Sequence, residues 1–271
     1  MSWLPCNDLD LAQTLDCGQA FRWQPAGQGS PAWEGAAFGQ ALCLVPEEGG
    51  LRLNCSQDQA QKLWRRYFDL DEDYGRIRQE LAEFSPVLAQ AAAYAPGIRI
   101  LRQDPWEALC TFILSQNNHI LRIKSLVSRF CTLFGDPVPG SAWRAFPPPE
   151  RIARLDEEDL APLRAGYRAP YVLAAARQVA EGRLNLEAIA REPAEYGREE
   201  LRRLPGVGPK VAECALLYGF HKTECFPMDV WMKRAMARLL PGVRPEDFGP
   251  RAGIAQQYLF HYSRMHPELF R

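Results

Sequence analysis

The alternation of apolar and polar residues changes in character along the chain. Residues 40–45 and 51–55 alternate at a period of two, and residues 46–50 between them are rich in proline and glycine. This pattern is typical of antiparallel strands joined by a turn. Apolar residues at helical spacing then predict short helices over residues 58–68 and 74–84.

From residue 104 onward the apolar spacing is helical. Pro105 suits the first turn of a helix over residues 106–115. Further helices are predicted over residues 120–134, 171–181, 199–203, 211–218 and 230–239. The sequence therefore predicts an α+β protein. An N-terminal antiparallel β-sheet domain with short helices occupies residues 1–103, and an all-α domain follows over residues 104–271.

A glycine-rich turn before one of these helices carries the clearest chemistry. Residues 204–210 read Leu-Pro-Gly-Val-Gly-Pro-Lys, and glycine tolerates the positive φ angles of such a turn. The backbone amides at the start of the next helix then suit a phosphate. Lys210 falls in the first helical turn, where the dipole disfavours a charged ammonium. A neutral amine is a nucleophile that forms a Schiff base with a sugar carbon.

Asp229 follows Lys210 after an apolar run and precedes the helix predicted over residues 230–239. The position predicts an N-cap. Capping alone accounts for an aspartate there, but the same carboxylate can also steer a nucleophile or stabilise an oxocarbenium charge. A glycine-rich turn and a surface lysine are likewise common without catalysis.

Five segments together resemble a known family. They are the stretch from Leu204 to Val230 and the segments at residues 16–23, 115–122, 166–171 and 255–260. In this order they resemble the 8-oxoguanine DNA glycosylase/lyases, which belong to the helix-hairpin-helix, Gly-Pro-Asp superfamily of DNA glycosylases. The resemblance extends over most of the chain and implies a helix-hairpin-helix glycosylase domain over residues 104–271.

The resemblance implies roles for six residues at the reaction centre. Lys210 would attack C1′ of the damaged nucleotide and form the imine, and Asp229 would support the reaction electrostatically. Cys214 and Phe260 would stack the extruded base between them, because an enzyme that acts on a base must take it out of the helix. Gln256 would read the Watson–Crick edge of the base. The carbonyl of Gly18 would accept the N7 hydrogen that distinguishes the lesion from guanine.

Further residues would contact DNA. By resemblance, four residues fill the space that the extruded base leaves and contact the cytosine opposite it. They are Asn117, Arg122, Tyr167 and Arg168. The backbone amides of Gly206, Val207 and Gly208 would hold phosphate. An alternative stays open, in which backbone carbonyls of the same hairpin bind a structural cation. Helix capping, burial and surface solvation are the plainer interpretations of all these side chains.

The chain departs from the family pattern at three positions. Trp231 stands where eukaryotic members carry a phosphate-contacting histidine, so that contact is in doubt. Gln116 and His119 replace a serine and an asparagine around Asn117. No cysteine follows Asp229, which excludes the iron–sulfur cluster of the endonuclease III branch.

The composition of the chain bears on its cofactors, its relation to membranes and its location in the cell. The chain has 271 residues, a formal net charge of −1 and eight cysteines without metal-binding spacing. No apolar run approaches the length of a membrane span. The expected protein is an intracellular, DNA-associated monomer without a redox or metal cofactor, and its location is the cytoplasm or nucleoid in bacteria and the nucleus in eukaryotes.

These observations predict a bifunctional glycosylase/AP lyase that excises 8-oxoguanine, preferably opposite cytosine, from double-stranded DNA in base excision repair. Two alternatives stay open. One is a glycosylase for another oxidised or alkylated base, against which Gly18 and Gln256 argue. The other is a non-catalytic helix-hairpin-helix DNA-binding protein, which would need neither Lys210 nor Asp229.

Overall fold

The computed structural model of the protein describes residues 1–270. Its strands are β1 (Ser2–Pro5), β2 (Trp23–Pro25), β3 (Trp33–Ala37), β4 (Gln40–Glu47) and β5 (Gly50–Leu53). They form one sheet in the order β1-β5-β4-β3-β2, and each neighbouring pair is antiparallel. The predicted fold class, an antiparallel sheet followed by a helical domain, is confirmed.

In the part of the chain that the structure describes, fourteen α-helices interrupt or follow the sheet. They are α1 (Leu11–Leu15), α2 (Gln57–Gln59), α3 (Arg65–Tyr67), α4 (Tyr74–Phe84), α5 (Pro86–Tyr94), α6 (Pro105–Ser115), α7 (Ile120–Phe134), α8 (Pro149–Ala153), α9 (Ala169–Ala180), α10 (Leu186–Arg191), α11 (Ala194–Arg202), α12 (Pro209–Gly219), α13 (Val230–Leu239) and α14 (Ala252–Met265). A π-helical turn over Ala60–Trp64 joins α2 to α3. The helices predicted over residues 74–84, 120–134 and 230–239 have the predicted bounds.

The β4–β5 hairpin is tighter than the sequence predicts. Residues 46–50 were expected to separate the strands, but Pro46 pairs with Leu51 and Glu47 with Gly50. The turn therefore consists of Glu48 and Gly49 alone, and Gly49 adopts a φ of 78°. A two-residue hairpin turn requires positive φ, which glycine supplies at little cost.

The sequence does not predict strands β2 and β3, because their alternation of apolar and polar residues is weak. β2 has three residues, and β3 contains Gly35 followed by two alanines. A Cβ on Gly35 would lie 2.4 Å from the ring of Trp23. The close approach of a tryptophan ring therefore requires glycine here, although glycine weakens the β-strand pattern.

The buried apolar residues form two clusters. One lies between the sheet and helix α3 and contains Trp23, Trp64 and Phe68. The larger cluster spans the helices from α6 to α14 and also includes apolar residues of α4 and α5. The domain boundary between residues 103 and 104 stays a prediction. None of the helices within residues 1–270 has the length and apolar character needed to cross a membrane.

Candidate active site

Helices α11 and α12 form the predicted hairpin. Gly206 in the connecting turn has a φ of 76°, and a Cβ there would lie 2.2 Å from the ring of Tyr171. Val207 is buried, and its amide donates to the carbonyl of Leu204 at 3.1 Å. That amide is bonded within the turn here, and the phosphate contact predicted for it stays a prediction. Gly208 is the N-cap of α12 and has no side chain to bond the first-turn amides, so these suit an external anion.

Lys210 lies in the first turn of α12 and its side chain enters a cavity between α6, α12 and α14. Its Nζ lies 3.3 Å from the Oγ of Ser115 and 5.4 Å from the ring centroid of Phe112. Among the described residues no carboxylate oxygen lies within the 4.0 Å ion-pair limit of this Nζ. The amine is held by a weak hydroxyl contact and an aromatic face, which leaves it able to turn toward a bound substrate.

Asp229 is the N-cap of α13, as predicted. Its Oδ1 accepts a hydrogen bond from the amide of Met232 at 2.7 Å. The other carboxylate oxygen makes no hydrogen bond with the part of the chain that the structure describes. Asp229 also lines the same cavities as Lys210. One residue can therefore cap a helix and present charge to the cavity.

Four predicted base-binding residues meet in an inner cavity of about 50 Å³ beside Lys210 and Asp229. They are Gly18, Cys214, Gln256 and Phe260. The cavity has room for about four water-sized spheres, at ~10–15 Å³ each. A purine needs more space, so its walls must separate before a base enters.

The walls of this cavity differ in burial. Cys214 is buried, and burial raises the pKa of its thiol to about 11 against the opposing effect of Lys210, so the sulfur is a neutral, soft surface. Phe260 is half-buried, and the guanidinium of Arg264 lies 5.3 Å from its ring centroid. A Cβ on Gly18 would lie 3.5 Å from that ring. The Phe260 ring thus lies next to Gly18 and is the more exposed of these two walls.

Gln256 is held at the base of the cavity by a polar network. It is buried, and its Oε1 lies 3.5 Å from the hydroxyl of Tyr218, which also donates to Gln257 at 2.6 Å. Gln257 in turn donates to the carbonyl of Cys17 at 3.3 Å. Gly18 follows Cys17 with a φ of 94°. The network links the Gln256 side chain to the Gly18 backbone, although the two residues are far apart in sequence.

The four residues predicted to replace the base also lie together. Asn117 has a φ of 50°, and its Nδ2 donates to the hydroxyl of Tyr167 at 3.0 Å. The guanidinium of Arg168 lies over the Tyr167 ring at 4.4 Å and donates to the carbonyl of Gln116 at 2.6 Å. Arg122 donates to the carbonyl of Arg164 at 2.9 Å. Asn117 lines the outer cavity, of about 760 Å³, that leads to Lys210.

The three departures from the family pattern have local structural roles. Trp231 donates its Nε1 hydrogen to the Oγ of Ser263 at 2.8 Å, so it has no donor left for phosphate. Gln116 ends α6, and its side chain donates to the carbonyl of Ile113 at 3.1 Å. His119 is the N-cap of α7, where its Nδ1 accepts from the amide of Arg122 at 3.3 Å.

Sequence reasoning missed several side chains of the site. Ser115 and Phe112 surround the Lys210 amine, Arg264 covers Phe260, and Lys233 and Arg234 line the outer cavity. Ser115 begins the 115–122 segment but received no role there, and the other four belong to no motif, so only the fold identifies their positions at the site. Across residues 1–270 no group of three metal-ligating side chains comes together. The absence of a cofactor and the alternative of a cation at the hairpin both stay predictions.

Comparisons with known proteins show the family of the chain. Residues 3–109 match the family model described as 8-oxoguanine DNA glycosylase, N-terminal domain. Residues 110–244 match the HhH-GPD superfamily base excision DNA repair protein model. A probable N-glycosylase/DNA lyase from Methanothermobacter thermautotrophicus is 31% identical over 96% of this chain and 95% of its own length.

Two solved structures extend this agreement to three dimensions. MBOgg1, in complex with a low affinity DNA ligand, has a TM-score of 0.91 and 36% identity, and the match covers 98% of this chain and 100% of that one. The 8-oxoguanine glycosylase/lyase of Clostridium acetobutylicum was solved with double-stranded DNA containing cytosine opposite 8-oxoG. It has a TM-score of 0.88 and 34% identity, over 96% of this chain and 93% of that chain.

Proposed function

The chain belongs to the 8-oxoguanine DNA glycosylase/DNA lyase family of base excision repair enzymes, and we propose that it excises 8-oxoguanine opposite cytosine and then cleaves the strand. The convergence of Lys210, Asp229, Cys214, Gln256 and Gly18 on one cavity carries this proposal. A non-catalytic DNA-binding module has no need for an amine and a carboxylate that line one recess.

The proposed reaction begins after the base leaves the stack. The Nζ of Lys210 forms a bond to C1′, and the glycosidic bond breaks with its electron pair going to the base. Opening of the sugar gives an imine, which acidifies the C2′ hydrogen. Loss of that proton expels the 3′ phosphate by β-elimination. Asp229 stabilises the positive charge that develops on the sugar.

Recognition of the lesion is proposed to rest on two groups. The amide of Gln256 pairs with the Watson–Crick edge, and the Gly18 carbonyl accepts the N7 hydrogen that guanine lacks. The proposal is supported by the position of Gly18, which lines the cavity with a φ of 94°. Asn117, Tyr167, Arg122 and Arg168 are proposed to hold the cytosine, with the protein acting as a monomer on DNA inside the cell without a cofactor.

An excision assay tests the proposal. Duplexes carrying 8-oxoguanine opposite cytosine, unmodified guanine or 3-methyladenine are incubated with the protein, and the released base and the cut strand are measured separately. We expect release and cleavage with the 8-oxoguanine duplex alone. Release of 3-methyladenine instead would favour the alkylated-base alternative. No release from any duplex would favour the non-catalytic one.

A pair of glycine variants tests the role of Gly18. Gly18→Ala strains the backbone and places a methyl group 3.3 Å from Ile120, which moves the carbonyl from its position. Gly29→Ala imposes similar strain, because Gly29 has a φ of 74°, but a Cβ there meets no atom within 4 Å. We expect excision by Gly18→Ala to fall about tenfold or more, a loss of ~1.4 kcal/mol. Gly29→Ala is expected to keep the wild-type rate; equal rates for both variants would refute the proposed role.

A further inference from the structure

We infer that Lys233 and Arg234 form a phosphate clamp at the mouth of the active-site cavity, which holds the backbone of the DNA strand beside the extruded nucleotide. The inference rests on the proposed function and adds a binding site for phosphate diesters. Both residues line the outer cavity together with Lys210 and Asp229. They are one turn along α13 from its N-cap, and the amide of Lys233 donates to the Asp229 carbonyl at 2.9 Å.

These two cations have no partner within the described part of the chain. Both are exposed, and within residues 1–270 neither side chain makes a hydrogen bond or an ion pair. Arg238 on the same helix reaches the carbonyl of Leu269. Arg198, Arg203 and Arg251 are each paired with carboxylates. A pair of free cations beside a reactive lysine is available for an external anion.

The local charge favours such an anion. The charged residues that line the outer cavity are Lys210, Lys233, Arg234 and Asp229, so three cations face one carboxylate. This excess stands against a net charge of −1 for the whole chain. A concave site lined mainly by one sign of charge focuses its field and attracts a polyanion.

The neighbouring side chains at positions 230 and 231 have no free donor for a phosphate, whereas Lys233 and Arg234 do. Trp231 lines the same cavity, but its only side-chain donor is bonded to Ser263 at 2.8 Å. Val230 is apolar and 68% exposed. Position 233 supplies a compact ammonium and position 234 a planar guanidinium, which suits two-pronged contact with phosphate oxygens. The ligand is therefore a pair of phosphates that flank the nucleotide in the cavity.

Salt-dependent binding tests the clamp without requiring catalysis. The probe is a duplex with a tetrahydrofuran abasic analogue, which cannot form an imine, and its dissociation constant is measured by fluorescence anisotropy over a range of salt concentrations. We expect Lys233→Gln and Arg234→Gln each to lower the slope of log affinity against log salt by about 0.9. The double variant is expected to lose about twice that amount.

The matched control is the double variant Arg66→Gln/Arg154→Gln. These arginines are also exposed and make no side-chain hydrogen bond or ion pair with the described residues, but they lie outside the cavity. The control is expected to keep the wild-type slope. An equal loss in the control would show only a general charge effect and would overturn the clamp. The urea midpoint of every variant verifies that it is folded.

Neutral phosphates locate the contact. Methylphosphonate is placed at the phosphate on the 5′ or 3′ side of the abasic analogue. If the clamp binds one of these phosphates, the neutral linkage weakens wild-type binding but adds little to the loss in the Lys233→Gln/Arg234→Gln variant. Full additivity at both linkages would overturn the inference. Because the probe holds no base, failure of the 8-oxoguanine proposal leaves this result interpretable.

Discussion

At the scale of single residues, Asp229 combines two roles that one substitution can separate. Its Oδ1 caps α13 through the amide of Met232 at 2.7 Å, and the rest of the carboxylate faces the cavity. Asparagine caps helices as well as aspartate does but carries no charge. Capping and electrostatic support therefore make different predictions for the same side chain.

We expect Asp229→Asn to change the free energy of unfolding by about 0.5 kcal/mol or less. Its single-turnover excision rate should fall by about 10²–10³, the usual effect of losing one group that stabilises transition-state charge. Asp229→Ala should lose the cap as well, at about 1 kcal/mol. Urea denaturation and quenched-flow kinetics measure the two effects.

The control for this series is Asp73→Asn, because Asp73 caps α4 through the amide of Arg76 at 2.9 Å and lies outside the cavity. It should change neither stability nor rate appreciably. An Asp229→Asn enzyme with the wild-type rate would show that Asp229 only caps its helix.

At the scale of elements, the helical hairpin depends on Gly206 more than on Gly208. Gly206 adopts a φ of 76° and lies against the ring of Tyr171, whereas Gly208 has a φ of −87° and open space around it. The two glycines of one short motif therefore serve different purposes. Gly206 makes the turn, and Gly208 exposes the first amides of α12.

We expect Gly206→Ala to lower the free energy of unfolding by about 3 kcal/mol, because strain and overlap with Tyr171 add together. Gly208→Ala should cost only about 0.5–1 kcal/mol, the usual penalty of alanine at an N-cap. Urea denaturation of both variants checks the prediction. Equal losses would contradict the assigned division between the turn and the helix start.

The elements also show what the sequence predicts and what it does not. Helices α4, α7 and α13 were predicted with their observed bounds, because their apolar spacing is regular and Asp229 marks the start of α13. Strand β3 was not, since packing against Trp23 places Gly35 where a β-branched residue would signal a strand. Local patterns fail where tertiary packing selects the residue.

The same distinction between local pattern and tertiary packing applies to the residues of the site. Lys210 and Asp229 were identified from local chemistry, whereas the roles of Gly18, Cys214 and Gln256 came from resemblance. These residues share a cavity only because α12 and α14 pack beside the loop at Gly18. Ser115 lies in a segment of the family resemblance but received no role from it, and Lys233 is an ordinary polar residue on a helix until the fold places it at the cavity.

At the scale of the whole molecule, Asp69 links the sheet part to the helical part. It is buried with a φ of 53°, and its carboxylate contacts Arg102 at 2.7 Å, Tyr74 at 3.1 Å and His221 at 3.4 Å. Burial alone would raise the pKa of this carboxyl, but His221 and Arg102 outweigh burial and hold its pKa below the usual value.

This lowered pKa predicts a pH-dependent contribution to stability. The contribution of the Asp69 carboxylate is fully present above the pKa of the unfolded chain, about 3.9, and is lost as the pH falls through the lower folded-state value. Asp69→Asn, which tolerates the positive φ, should lower the free energy of unfolding at pH 7 by about 3 kcal/mol. The difference from wild type should shrink below about pH 4.

Urea denaturation at several pH values measures this dependence. Asp71→Asn is the control, because Asp71 is 69% exposed in its ion pair with Arg65, and such pairs contribute about 0.5 kcal/mol or less. A constant Asp69→Asn loss from pH 7 down to pH 2 would show that the effect is not the charge of the carboxylate.

The central claim is that Lys210 forms a covalent imine with damaged DNA. The most direct measurement is incubation of the protein with a duplex carrying one 8-oxoguanine opposite cytosine in sodium borohydride, which reduces an imine to a stable amine. Wild type and Lys62→Gln, a control at an exposed ion pair, should each give a covalent protein–DNA band. Lys210→Gln should bind the duplex but give no band. A band of wild-type intensity from Lys210→Gln would contradict the account.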